Sequence, residues 1–349
     1  MKKLFPIMLF AGVAGLASNE GPIQLPQPRI YSYNVNSLPS ISSNGGVYQG
    51  SPTAINNSGT IVGNFALQNT SFAFSDISGI TTSLGSEFGN NDFGSEGSSA
   101  SAINDAGTIV GYSSQVSFNG STTTLRTYAC SYSNQAWLDL GLGIGSAALC
   151  INSAGTIVGS YVNAGGATDA FSFSNGKVTD LGTLSGPGAG IGSQATSINN
   201  AGTIVGTSNT TSSITHAFSY TNGAMHDLGT LGGQNSSGTG INNAGSIIGN
   251  SNTSTGVIHA FLYSNGAMTD LGTLPGGTSS SANGINDNGT VVGSSAGHAF
   301  IYANGVMTDL NTLIAVQGVT LVSVRWTTSF NVIACDVVRH MSDACGGRA

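Results

Sequence analysis

Three histidines recur with an aspartate at a fixed interval. His216, His259 and His298 are followed eleven residues later by Asp227, Asp270 and Asp309. A histidine beside a carboxylate is held in one tautomer and tuned toward neutral pH, which suits general acid–base catalysis. The same pair also serves as a plain hydrogen bond between two strands. Two features favour the structural role. An active site is one asymmetric cluster, whereas this pair is copied from repeat to repeat. Where Asp169 replaces the histidine, the partner Asp180 and its surrounding motif persist. The pairs are expected to be structural, each contributing about 1 kcal/mol net. No residue is assigned as catalytic, cofactor-binding or metal-ligating, and no cofactor is expected.

Other chemical signals are weak. The chain carries no H-E-x-x-H, no phosphate-binding G-x-x-x-x-G-K, no nucleophile elbow and no nine-residue calcium repeat. Glu87, Asp92 and Glu96 cluster in GSEFGNNDFGSEGS, which reads as a solvated insertion between repeats. Paired carboxylates there would suit glycoside chemistry only if held on rigid elements. His226 and His340 stand alone, and Trp137 and Trp326 read as packing residues.

The elements that must position the His–Asp pairs are themselves repeated. HAFSYTNGAMHDLGTL from His216, HAFLYSNGAMTDLGTL from His259 and HAFIYANGVMTDLNTL from His298 share one pattern. Weaker copies start at Ser71, Thr127 and Asp169, and a fragment, RIYSYNVNSLPS, starts at Arg29. Asn-Gly between two alternating apolar runs predicts a hairpin with a tight type I′ turn. A second landmark, such as SINNAGTIVG from Ser197, places its Ile at 55, 103, 151, 198, 241 and 285. It predicts a second hairpin closed on glycine. One repeat of 43 to 48 residues thus holds four short strands.

Four antiparallel strands per repeat predict an all-β fold, a β-propeller blade stacked radially on its neighbours. Apolar residues on both strand faces agree with a sheet covered on both sides. The alternative is a β-solenoid, whose coils are shorter and are not built from paired hairpins. Seven HAF hairpins predict seven blades, the last completed by residues 314–349 in divergent form; a separate extension or a frame-altered tail is the other reading.

The combined pattern HAF-x-Y…DLGTL…S-x-A-x-x-IN-x-x-G-x-IVG resembles the HAF-repeat family of bacterial extracellular repeat proteins. The resemblance covers residues 29–313, with departures in the early repeats and the tail. It implies export and a repeat architecture, and carries no activity or ligand that transfers to particular residues.

Composition bounds partners and compartment. Only 7% of the 349 residues are charged, and the net charge is −7 with eight Lys and Arg. No basic stripe is left to neutralise phosphates, so nucleic acid is not an expected partner. MKKLFPIMLFAGVAGLAS has a basic start, an apolar run and small residues at its end. That layout predicts a signal peptide over residues 1–18 and an exported, secreted or surface location, with no transmembrane segment after cleavage. The four cysteines allow two bridges in an oxidising compartment. Cys130 occupies the Phe position of the HAF motif and reads as a small buried hydrophobe; a Cys130–Cys150 bridge is the alternative.

The domain plan is a leader (1–18), a repeat propeller (19–313) and a tail (314–349). The expected function is non-catalytic: a monomeric exported binding or scaffold module. Its ligand, a glycan or protein, would meet variable segments such as 86–99, 112–126 and 207–215. The alternatives are a carbohydrate-active enzyme with its site in the central pocket, and a purely structural surface or matrix repeat.

Overall fold

The computed structural model describes residues 46–67, 70–86, 96–119, 122–186, 192–211 and 213–313, with strand segments 7–10, 30–31, 40–43, 319–327 and 332–339. The HAF elements close as their Asn-Gly pairs require. Asn175, Asn222, Asn265 and Asn304 take φ of 52° to 53°, and the glycines that follow take φ of 74° to 81°. Two successive positive φ values make the type I′ turn, whose twist matches that of the flanking strands. The IN elements close differently. Gly202, at φ 84°, donates to the Asn199 carbonyl at 3.1 Å, and Asn199 N–H donates to the Thr203 carbonyl at 3.1 Å. The same pair of bonds recurs at Asn56, Asn104, Asn152, Asn242 and Asn286.

The two hairpins join into one four-stranded antiparallel meander per repeat. In blade 4 the strands are Ser193–Ile198, Ile204–Asn209, Thr215–Thr221 and Ala224–Asp227. Equivalent meanders span residues 51–83, 96–139, 147–182, 232–270 and 280–309. The first strands of all six blades, with their IN turns, line one central cavity, so the meanders stand radially around an axis. The chain is an all-β propeller.

Apolar contacts lie between blades. Val205, Ala217 and Leu228 of blade 4 pack on Ile241, Ile247 and Phe261 of blade 5. The HAF phenylalanines Phe74, Phe171, Phe218, Phe261 and Phe300 are fully buried, each contributing about 2–3 kcal/mol by removal from water. A glycine under each ring makes room. A Cβ on Gly249 would lie 2.0 Å from the Ser237 carbonyl and 2.6 Å from the Phe261 ring. Small residues inside the T-I-V-G strand therefore set how closely strands and rings approach.

Each first strand also carries a register shift, as between Ala195 and Ser197 or between Gly238 and Gly240. The bulged residue turns its side chain toward the next blade. Thr196 Oγ1 donates to the Gly238 carbonyl at 2.8 Å, and Thr239 Oγ1 to that of Ala282 at 3.0 Å.

Six blades form from consecutive strands, not the seven expected from counting HAF elements. The seventh copy, at Arg29, has no IN hairpin before it in the chain. A further four-stranded sheet instead unites the chain ends in the order Ile30–Tyr31, Ile7–Phe10, Val332–Arg339, Val319–Thr327. Its strand Val319–Thr327 lies against the first three strands of blade 6. Asn311 fastens that contact, accepting from Leu321 N–H at 2.6 Å and donating to the Leu321 carbonyl at 2.9 Å. Ile7–Phe10 falls inside the expected leader, so cleavage near Ala17 or Ser18 would remove it from this sheet. The acidic insertion around Glu87 and Asp92, and the residues His340 and Cys345, lie outside the described residues. Among the described residues no helix is long and apolar enough to cross a membrane.

Candidate functional site

The axial cavity, about 400 Å³ in volume, is the natural place to look for chemistry in a propeller. Its wall is built by the asparagine of each IN turn. Asn56, Asn104, Asn152, Asn199, Asn242 and Asn286 are 3% to 6% exposed, and burial of an amide requires partners for its donors and acceptor. Each Oδ1 accepts the N–H four residues on, from Thr60, Thr108, Thr156, Thr203, Ser246 and Thr290, at 2.8–3.0 Å. Each Nδ2 from Asn56 to Asn242 donates to the asparagine carbonyl of the next blade at 2.9–3.2 Å. The result is a ladder of side-chain amides that runs through all six blades.

A second, exposed rung lies one residue further along. Asn57 donates its backbone and side-chain N–H to the two oxygens of Asp105 at 2.9 and 2.7 Å. Asn243 holds Asp287 in the same way at 2.9 and 3.0 Å. Ser153 N–H reaches Asn200 Oδ1, and Asn200 N–H reaches Asn243 Oδ1, both at 3.0 Å. Asp105 and Asp287 are the carboxylates that line the cavity, and amide donors occupy both oxygens of each. The wall is otherwise asparagine, serine, threonine and apolar side chains, with the thiol residue Cys150 among them. Such a surface offers hydrogen bonds to a polar ligand and no evident general base.

Serines form a further stitch. Ser193 Oγ accepts Ala170 N–H at 2.8 Å and donates to the Gly182 carbonyl at 2.6 Å, tying blade 4 to blade 3. Ser146, Ser236 and Ser280 repeat both bonds between their own pairs of blades. The sequence shows these serines and asparagines as fixed letters of S-x-A-x-x-IN. Their role as bridges between blades is not legible there, because the asparagine rungs and the bonds from backbone N–H to the serines join residues 17 to 48 positions apart.

The three His–Asp pairs lie away from the axis, on the third and fourth strands. His216 Nδ1 lies 2.8 Å from Asp227, His259 Nδ1 2.8 Å from Asp270, and His298 Nδ1 2.6 Å from Asp309. The same aspartates accept the N–H two residues on, from Gly229, Gly272 and Asn311. That second bond is kept at Asp139 and Asp180, where no histidine is present. The aspartate therefore caps the end of its strand, and the histidine is added to it. Burial pushes the Asp309 carboxyl upward, but bonds from His298 and Asn311 outweigh it and hold the group below the usual carboxylate range. His226 sits opposite Ser219 on the fourth strand of blade 4, with no role in a pair. Trp137 donates to the Leu84 carbonyl at 2.9 Å and packs edge-on against Tyr132, as a packing residue does.

Cys130 and Cys150 lie on different blades and are not joined in a disulfide. Cys130 is fully buried in the HAF position, and the bridge to Cys150 is not formed. Burial also pushes the Cys150 thiol up, against hydrogen bonds from Ile198, Ile151 and Ser197. Among the described residues, no group of three or more His, Cys, Asp or Glu is arranged to hold a metal ion.

The chain matches no family model and no curated protein sequence. Several solved structures align with the chain at low identity and with TM-scores below 0.5. TolB from Acinetobacter baumannii aligns with TM-score 0.38 and 12% identity over 76% of this chain. The extracellular domain of the putative hybrid two-component system BT4673 from B. thetaiotaomicron aligns with TM-score 0.43 and 12% identity over 82%. A puromycin-hydrolyzing peptidase from Mycobacterium tuberculosis aligns with TM-score 0.47 and 9% identity over 81%. The chain spans 60%, 37% and 48% of these three structures, respectively.

Proposed function

We propose that the chain is an exported, non-catalytic binding or scaffold propeller of the HAF-repeat type, contacting a glycan or protein through segments that differ between blades. One observation carries this reading. The polar side chains that recur around the axis and between blades are engaged with one another, so the repeated part of the molecule is occupied with holding itself together. The axial carboxylates Asp105 and Asp287 are both bound by amide donors, which weighs against a hydrolytic site there. Export is supported by the basic and apolar N-terminal segment.

The variable segment with the most regular structure is in blade 2. Its second and third strands, Ile109–Asn119 and Thr122–Ser133, run for 11 and 12 residues and pair along their whole length. The corresponding strands of blade 4 have 6 and 7 residues. The paired strands of blade 2 are therefore longer than those of its neighbours, and an element that differs between blades is the kind on which recognition is commonly carried. A purified protein should bind members of a polysaccharide array. Replacing residues 115–126 by a two-residue Asn-Gly turn should remove that binding and leave the unfolding midpoint within about 2 °C of wild type. Binding that survives the shortening would place recognition elsewhere, and a blank array would favour a purely structural repeat.

A further inference from the structure

Blade 3 departs from its successors at one position. Aligned by strand register, Asp169 stands where blades 4, 5 and 6 carry His216, His259 and His298, and Asp180 stands where they carry the partner aspartate. In those blades a ring nitrogen lies within 2.6–2.8 Å of the carboxylate. Blade 3 brings a second carboxylate to the same place.

The surroundings of Asp169 make this unusual. The residue is 6% exposed, and Asn163 Nδ2 holds its Oδ2 at 2.5 Å. Its Oδ1 is buried and has no hydrogen-bond partner. An anionic oxygen in that state is strongly unfavourable unless a positive charge or a proton meets it. Asp180 is exposed, and its Oδ1 accepts Gly182 N–H at 2.9 Å. Among the described residues, no cationic side chain pairs with either aspartate. Lys177 lies three residues before Asp180 on one strand, so the two point to opposite faces.

We propose that Asp169 and Asp180 hold a divalent cation, Ca²⁺ in preference to Mg²⁺, where the later blades hold an imidazole. The ligands would be the free Asp169 oxygen and an Asp180 oxygen, with water completing the shell on the exposed Asp180 side. Ca²⁺ accepts a mixed and irregular oxygen shell, whereas Mg²⁺ demands near-ideal octahedral geometry. Two protein carboxylates and an open face suit the weak affinity of extracellular calcium modules, with a Kd of about 0.1–1 mM. Burial, opposed by the Asn163 bond and reinforced by the charge of Asp180, pushes the Asp169 carboxyl up, and the Tyr161 hydroxyl is pushed up to about 12. Burial is the larger cause of both shifts, and the neighbouring carboxylate charge adds to it.

The test is the unfolding midpoint of the full-length protein at neutral pH, in chelator and then in about 5 mM CaCl₂, roughly ten times the expected Kd. The wild type should gain about 2 °C or more with Ca²⁺ and less with MgCl₂ at equal ionic strength. Asp180→Asn should lose the gain. Asp169→His installs the pair that blades 4 to 6 already fold with, so it should unfold at or above the chelated wild-type midpoint and ignore Ca²⁺. No gain in the wild type, or an undiminished gain in Asp169→His, overturns the proposal. A midpoint that ignores Ca²⁺ but rises on mild acidification in chelator would show that a proton meets the Asp169 oxygen, and overturns it as well.

Discussion

At the scale of the residue, the same polar pair means different things in different places. An aspartate at the end of the fourth strand bonds the N–H two residues on whether or not a histidine faces it. The histidine then adds a bond on a partly exposed edge, where its net worth is small. His259 and Asp270 have side-chain exposures of 18% and 40%, which leaves the pair screened by solvent. At Asp309 the consequence for pH has a definite sign. A carboxyl whose folded pKa lies below its unfolded value stabilises the fold above the unfolded pKa, and loses that contribution as pH falls through the folded one. Asp309→Asn should therefore unfold at lower temperature than wild type near pH 6. The difference should shrink once pH drops below the ordinary value of 3.8. Unfolding midpoints recorded across that range would speak against the assignment if the deficit stayed constant.

At the scale of the element, the hairpins were legible because turn chemistry is local. Asn-Gly demands positive φ at both positions, and Asn265 and Gly266 adopt φ of 53° and 79°. Which hairpin faces the axis was not legible, since both are apolar and both are covered by neighbouring blades. The glycine of T-I-V-G is where local pattern meets packing. A Cβ on Gly206 would lie 1.9 Å from the Gln194 carbonyl, and the backbone there cannot yield cheaply. Gly206→Ala should cost about 3 kcal/mol or more in chemical denaturation, well beyond an ordinary surface change. A loss below about 0.5 kcal/mol would mean that the first and second strands are not packed this closely.

At the scale of the whole molecule, the repeat count announced a ring and the number of blades was harder to read. Six IN elements lie in sequence with six HAF elements, and these make the six consecutive blades. The HAF fragment at Arg29 suggested a seventh, but strand pairing between chain ends depends on contacts more than 300 residues apart, which no local pattern encodes. The asparagine ladder was visible as repeated letters and hidden as a structure, because each rung is completed by the next blade. Asn200 and Asn243, exposed beside it, carry the same hand-to-hand pattern.

The central claim is that these repeated polar residues hold blades together. Asn199→Ala removes the donor to the Asn242 carbonyl at 3.2 Å, in a buried setting, and the acceptor for Thr203 N–H at 2.9 Å, in a part-buried one. The variant leaves Thr203 N–H without its side-chain acceptor and the Asn242 carbonyl with the Gly245 N–H alone, at a cost of about 1–3 kcal/mol, or roughly 2–4 °C in the unfolding midpoint of a protein this size. Calorimetry of that single variant should show a fall of this order with secondary structure retained at room temperature. An unchanged midpoint would contradict the account.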